Sequence, residues 1–209
     1  MTHFGRRRCI VRHAYDADLA PEPTPVFMSQ TAARWTLPDL DRLPDDGNRY
    51  ELVDGELFVT PPPSSGHEDV LAVLSALLQP YVARHRLGRV YHPRAVVEAG
   101  GSRVEPDLMV RPVPATRPTT WATAAVPILV VENGSASSMR RDNIEKRAFY
   151  LRTGVPTYWI LDASRRSVRV GRAGQPDEIA DRELTWHPAG ASEPLIVDVH
   201  QLYREALGG

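Results

Sequence analysis

Three side chains in this chain have the types and spacing to do chemistry together: Asp107, Glu132 and Lys146. Asp107 lies in the apolar run Val104–Val110, Glu132 ends the run Pro127–Glu132, and Lys146 lies in the following stretch Asp142–Tyr150. Lysine and arginine total 25 residues, and Lys146 is the only lysine; the other 24 are arginine. A composition this biased toward arginine is expected to have replaced a lysine that serves only as a surface charge. A compact ammonium does what a broad, always-charged guanidinium cannot, which makes Lys146 a candidate for chemistry; chance survival is the bland alternative. Two carboxylates brought together repel, and one is driven to protonate unless a cation sits between them. Mg²⁺, or Mn²⁺ in its place, suits an all-oxygen site of one or two carboxylates that it shares with waters and a phosphate. Such a metal is a Lewis acid that lowers the pKa of its water. A neighbouring ammonium can orient that water or stabilise charge developing on phosphoryl oxygens. Acid, acid and lysine thus form a complete set for metal-assisted phosphodiester hydrolysis. Taken singly, Asp107 has a structural reading as a strand-end acid bonded to backbone amides. That reading is weaker for Glu132, since an unpaired charge closing a buried strand is costly.

The elements that must position this set can be read from pattern. Leu37–Leu43 is a short helix or turn, and Tyr50–Val59 is a β-hairpin turning on Asp54-Gly55. Pro61–Gly66 cannot continue a sheet. A helix is expected over 67–85, with Val70, Leu71, Leu74, Leu77, Leu78 and Tyr81 as its apolar stripe. Arg89–Tyr91 and Ala95–Glu98 are strand material closed by Gly100-Gly101. In Val104–Val110, Leu108 and Val110 face one way while Asp107 and Met109 face the other. A Pro/Thr-rich loop, Pro112–Ala125, is long enough to suggest function or mobility. Ile128–Val131 reads as a strand buried on both faces, with the sheet ending at Glu132. A helix capped by Ser137 or Ser138 follows and stops at Gly154-Val155-Pro156. In it Asp142, Lys146 and Tyr150 share a face, Asp142 being the expected partner of Lys146, while Ile144, Ala148 and Leu151 supply the packing side. Tyr150 reads as packing rather than catalysis. Further strands are expected at Thr157–Leu161, Val168–Val170, Glu178–Ala180, Glu183–Trp186 and Leu195–Val197, then a closing helix over 199–206.

Length and composition bound the rest. At 209 residues, 24% charged and 42% hydrophobic, the chain suits a single globular domain, here 28–209. Residues 1–27, with Arg6-Arg7-Arg8 and Pro21–Pro25, lack periodicity and are expected to be a disordered tail, with Met28 as an alternative start. No apolar run approaches the roughly 20 residues that span a membrane. One cysteine, Cys9, excludes an internal disulfide, and without a secretory segment the expectation is cytoplasmic. A formal net charge of −1 offers no global attraction for nucleic acid, so contact requires a local patch such as Arg140-Arg141.

Taken in order, Tyr50–Glu56, Pro106-Asp107, Val130–Glu132, Ser135, Asp142 through Lys146 to Tyr150, Gly154–Pro156 and Tyr158-Trp159 resemble the Uma-type endonuclease family. That family belongs to the PD-(D/E)XK restriction-endonuclease-like superfamily, and the match runs from about Leu37 to Leu207. The resemblance implies an α/β fold with a mixed central sheet flanked by helices. It also implies Asp107 and Glu132 as metal ligands, Lys146 as the catalytic lysine, and DNA as partner. The superfamily's usual lysine, two residues after the acid, is replaced here by Gly134; in this family the lysine comes from the following helix. Asn133-Gly134 stands where an apolar pair is common, and Ala136 where a proline is usual. Glu51 matches the family's hairpin acid, and structural pairing is an equal reading for it. Two alternatives stay open: a catalytically inactive binding member of the fold, and a metal-dependent hydrolase of another phosphoester. So does the oligomeric state, including a homodimer.

Overall fold

The computed structural model describes residues 9–11, 34–116, 118–134 and 142–208. They fall in two compact units, one within Met1–Pro62 plus Gly100–Ser102, the other Pro63–Ala99 plus Arg103–Gly209.

In the first unit, Arg49–Val53 (β2) and Glu56–Thr60 (β3) form the expected antiparallel hairpin. Its turn is left-handed at both central residues, with φ of 49° at Asp54 and 82° at Gly55, the geometry that matches strand twist. Cys9–Val11 (β1) pairs with β3 in parallel, so three residues of the expected tail are strand; the remainder of 1–27 lies outside the described residues. A short helix, Leu37–Leu40 (α1), begins where Asp39 accepts from the backbone N–H of Thr36 at 3.0 Å. Leu40, Leu52, Leu57 and Val59 pack with Trp35 and Tyr50 into a small core.

The second unit is built on a mixed six-stranded sheet. Its strands are Arg89–Tyr91 (β4), Leu108–Arg111 (β7), Leu129–Gly134 (β8), Thr157–Asp162 (β9), Ser167–Arg172 (β10) and Glu178–Ala180 (β11), in the order β11-β10-β9-β8-β7-β4. Only β8 and β9 are parallel. Val97–Ala99 (β5) and Ser102–Val104 (β6) precede β7, while Glu183–Trp186 (β12) and Leu195–Asp198 (β13) pair with each other.

Alternation on the central strands sorts the sheet into two faces. Leu108, Val110, Leu129, Val131, Trp159, Leu161, Val168 and Val170 join the main apolar core with helices Ser65–Arg84 (α2) and Val199–Leu207 (α4). Met109, Val130 and Tyr158 lie in register on the other face, against which helix Arg147–Arg152 (α3) sets Tyr150 on Tyr158, ring centroids 5.1 Å apart. The α2 stripe is buried as expected except Leu77, which is exposed.

Three local expectations are corrected. The run Val104–Val110 is not one strand: β6 stops at Val104, and β7 starts at Leu108. Pro106 between them has no N–H to give a ladder. The sheet does not end at Glu132, because β8 continues along β9 through Asn133↔Leu161 and Gly134↔Asp162. The packing side around Lys146 is also reversed: Lys146, Phe149 and Tyr150 are buried, whereas Ile144 and Ala148 are exposed. A buried carboxylate on β8 attracts the ammonium inward and carries the helix face with it. Among the described residues no helix is long and apolar enough to cross a membrane.

Candidate active site

Asp107 and Glu132 meet because β7 and β8 are antiparallel neighbours. Their last ladder pair is Leu108↔Val131, so one more step sets Asp107 opposite Glu132. Both acids are buried, each at 2% exposure. Asp107 stands just before β7 starts, where the chain has left the ladder and its carboxylate can turn to a neighbouring amide. The backbone N–H of Asn133 donates to Asp107 Oδ2 at 2.7 Å. His67 Nε2 lies 3.6 Å from the same oxygen.

Glu132 receives a donor on each oxygen. Lys146 Nζ donates to Oε2 at 3.2 Å, and the Tyr150 hydroxyl donates to Oε1 at 2.7 Å. Both donors come from one helical stretch. Asp142–Lys146 is π-helical and passes directly into α3, a local widening of the kind that often marks functional sites. The four-residue step from Lys146 to Tyr150 keeps both side chains on one helix face, as their spacing implies. Tyr150 therefore packs its ring on Phe149 and Tyr158 and also supports the acid with its hydroxyl.

Asn133 ties the site together. Its Nδ2 donates to the His67 carbonyl at 3.0 Å while its backbone serves Asp107, so this residue links the start of α2 to both acids. Read as a sequence, Asn133 is only a departure from a common apolar pair, and its polarity beside a predicted acid was the available signal. His67 was missed as a neighbour of Asp107, because nothing in its spacing connects α2 to β7.

The other expected residues divide. Glu51 is buried in β2 of the first unit, where its carboxylate lies 3.9 Å from Arg49 Nε. The π-helical backbone includes Asp142, but its side chain lies outside the described residues, as do Ser135, Ser137, Ser138, Arg140 and Arg141. Lys146 forms an ion pair with Glu132.

A divalent cation can be tested against these donors. Among the described residues no group of three or more His, Cys, Asp or Glu side chains converges as a metal cage. Mg²⁺ does not require one, since it keeps several waters and binds through one or two carboxylates. A carboxylate oxygen that accepts one hydrogen bond retains a second lone pair. The donor set fits a water-rich hard cation and does not fit a zinc-type cage.

The family described as "Putative restriction endonuclease" (Uma2) matches residues 37–196. A crystal structure of a "putative nuclease" from Anabaena variabilis aligns with a TM-score of 0.70 at 20% identity, covering 83% of this chain and 99% of that one. No curated protein matches the chain. The mixed sheet, its flanking helices and this alignment establish a restriction-endonuclease-like fold. With the family matching most of its length, the chain belongs to the Uma2 family.

Proposed function

We propose that this protein is a metal-dependent endonuclease that hydrolyses phosphodiester bonds of DNA. The observation that carries the reading is the pair of buried acids at the β7–β8 junction, one of them held by the chain's only lysine. The family and the aligned structure support a nuclease; DNA, the metal and the residue roles are this proposal.

Asp107 and Glu132 would hold Mg²⁺ or Mn²⁺. When bound, the ion would supply Lewis acidity toward a phosphoryl oxygen. The chain's own residues do the rest. The Asn133 amide fixes Asp107 through its Oδ2 at a position opposite Glu132, one step past the last ladder pair. Lys146 and Tyr150 fix Glu132 from two directions, so the carboxylate needs no reorganisation as charge builds. Lys146 orients the attacking water or stabilises the negative charge that develops on the phosphoryl group. Burial strengthens that attraction by excluding competing solvent.

One specific feature favours a second reading, an inactive binding member of the fold. Both oxygens of Glu132 already carry donors, as they would in a purely structural ion pair. A single experiment separates the two: Mg²⁺-dependent nicking of plasmid, with Lys146→Arg, Glu132→Gln and Asp107→Asn beside wild type. For a catalytic site, Lys146→Arg keeps its circular-dichroism spectrum yet cleaves roughly 10²–10³-fold more slowly, the loss associated with one positioned donor. Mn²⁺ or Ca²⁺ raises the melting temperature of wild type, and Asp107→Asn and Glu132→Gln remove most of that rise. Undiminished nicking in Lys146→Arg, or an unchanged metal response in both acid variants, sinks the assignment.

A further inference from the structure

At the far end of β7 from Asp107, Arg111 is buried to 4% exposure, an unusual position for a guanidinium. Its Nη2 donates to the Val96 carbonyl at 3.0 Å. Its Nε and Nη1 have no hydrogen-bond partner among the described residues. The Trp121 ring lies 5.2 Å from Cζ, and Tyr91 meets that ring edge-on at 6.0 Å and 84°. Burial pulls the arginine's pKa below its usual value, Tyr91 acting in the opposite sense. Arg111 and Tyr91 line a pocket of about 370 Å³ with Arg89, Thr119, Thr120 and Trp121. No carboxylate is among the described residues that line it.

Two costs are left open here. A buried charge is expensive unless it is paired. Arg89 is also the direct ladder partner of Arg111, and like charges directly opposite one another repel. One oxyanion in the pocket relieves both. The fork of a guanidinium suits phosphate, and an aromatic beside it offers a platform for a base. Asp107, Met109 and Arg111 alternate onto one side of the chain, and four residues at about 3.3 Å each separate the pocket from the acid by roughly 13 Å.

We infer that this pocket is a nucleotide-phosphate site, in which Arg111 and Arg89 hold a phosphate of the strand flanking the cleaved bond and Trp121 stacks on its base. The inference rests on the nuclease reading for its choice of ligand, and its test does not depend on cleavage.

The probes are inorganic phosphate, thymidine 5′-monophosphate and acetate, titrated by calorimetry into metal-free full-length protein containing EDTA. The variants are Arg111→Gln, with circular dichroism as its folding control, and Trp121→Ala on the surface loop. Wild type should bind the mononucleotide more tightly than phosphate, and acetate least. Arg111→Gln should weaken both phosphate ligands at least tenfold. Trp121→Ala should weaken the mononucleotide several-fold while phosphate changes little, which keeps the test informative if Arg111→Gln fails to fold. Three results overturn the inference: no phosphate binding by wild type, acetate binding as well as phosphate, or mononucleotide binding unchanged in Trp121→Ala. Any of these beside intact Mg²⁺-dependent nicking defeats the pocket alone. Mononucleotide binding with the expected variant pattern, beside absent nicking, defeats the nuclease reading and leaves the pocket standing.

Discussion

β7 has a buried ionisable group at each end, and the protein surrounds them in opposite ways. Asp107 takes a backbone N–H, and Glu132 opposite it takes an ammonium and a phenol. Four residues further on, Arg111 has one backbone carbonyl, an aromatic face and two nitrogens without hydrogen bonds among the described residues. Burial is similar at the two ends, at 2% for each acid and 4% for the arginine, so desolvation alone does not separate them. Partner supply does. The first arrangement holds its charges in place within the chain, while the second leaves a charge for which the described residues provide no acid. A satisfied site resists change, and an unsatisfied one gains from a ligand or from losing its charge.

The largest effect should come from breaking the ion pair. Lys146→Ala strands the Glu132 carboxylate in the interior and should destabilise the protein by about 3–5 kcal/mol, read from urea denaturation. The double replacement Lys146→Met with Glu132→Leu should recover most of that loss, since neither charge then remains buried. Strict additivity of the single replacements would show that the two side chains are not coupled.

Removing the Tyr150 hydroxyl should be milder. Tyr150→Phe keeps the ring on Tyr158 but takes a donor from a carboxylate, and should cost about 1.5–3 kcal/mol. A loss within experimental error would mean that solvent replaces the phenol, and that the acid end is wetter than its exposure suggests.

The opposite sign is expected at Arg111. Arg111→Met retains an unbranched apolar stem and deletes the poorly partnered charge, so stability should rise by about 1–2 kcal/mol, less the bond to Val96. A fall of similar size would erase the contrast between the two ends of β7. The smallest effect should be that of Asn133→Ala, about 1 kcal/mol. It removes the side-chain bond to the His67 carbonyl but preserves the amide that holds Asp107. The metal-induced rise in melting temperature should therefore survive it, and its loss would assign the Asn133 side chain a direct part in the site.

Local chemistry in the sequence determined much of this protein. The Asp54-Gly55 hairpin, the α2 stripe and the buried apolar run of β8 follow from positive φ, a 3.6-residue period and continuous burial, each set by nearby residues. The candidacy of Asp107, Glu132 and Lys146 was legible for the same kind of reason: acids on apolar strands and a lone lysine among arginines are visible without any knowledge of contacts. Tertiary structure alone decided what they touch. The inward turn of Lys146 follows from a carboxylate 14 positions away, against the apolar pattern that had assigned Ile144 and Ala148 to the core. His67 reaches Asp107 from another element, and Asn133 became the tie between them. Arg111 reads in sequence as one more arginine; its distinction comes from burial beneath Trp121 without an acid among the described residues, a property of the packed chain that no local pattern encodes.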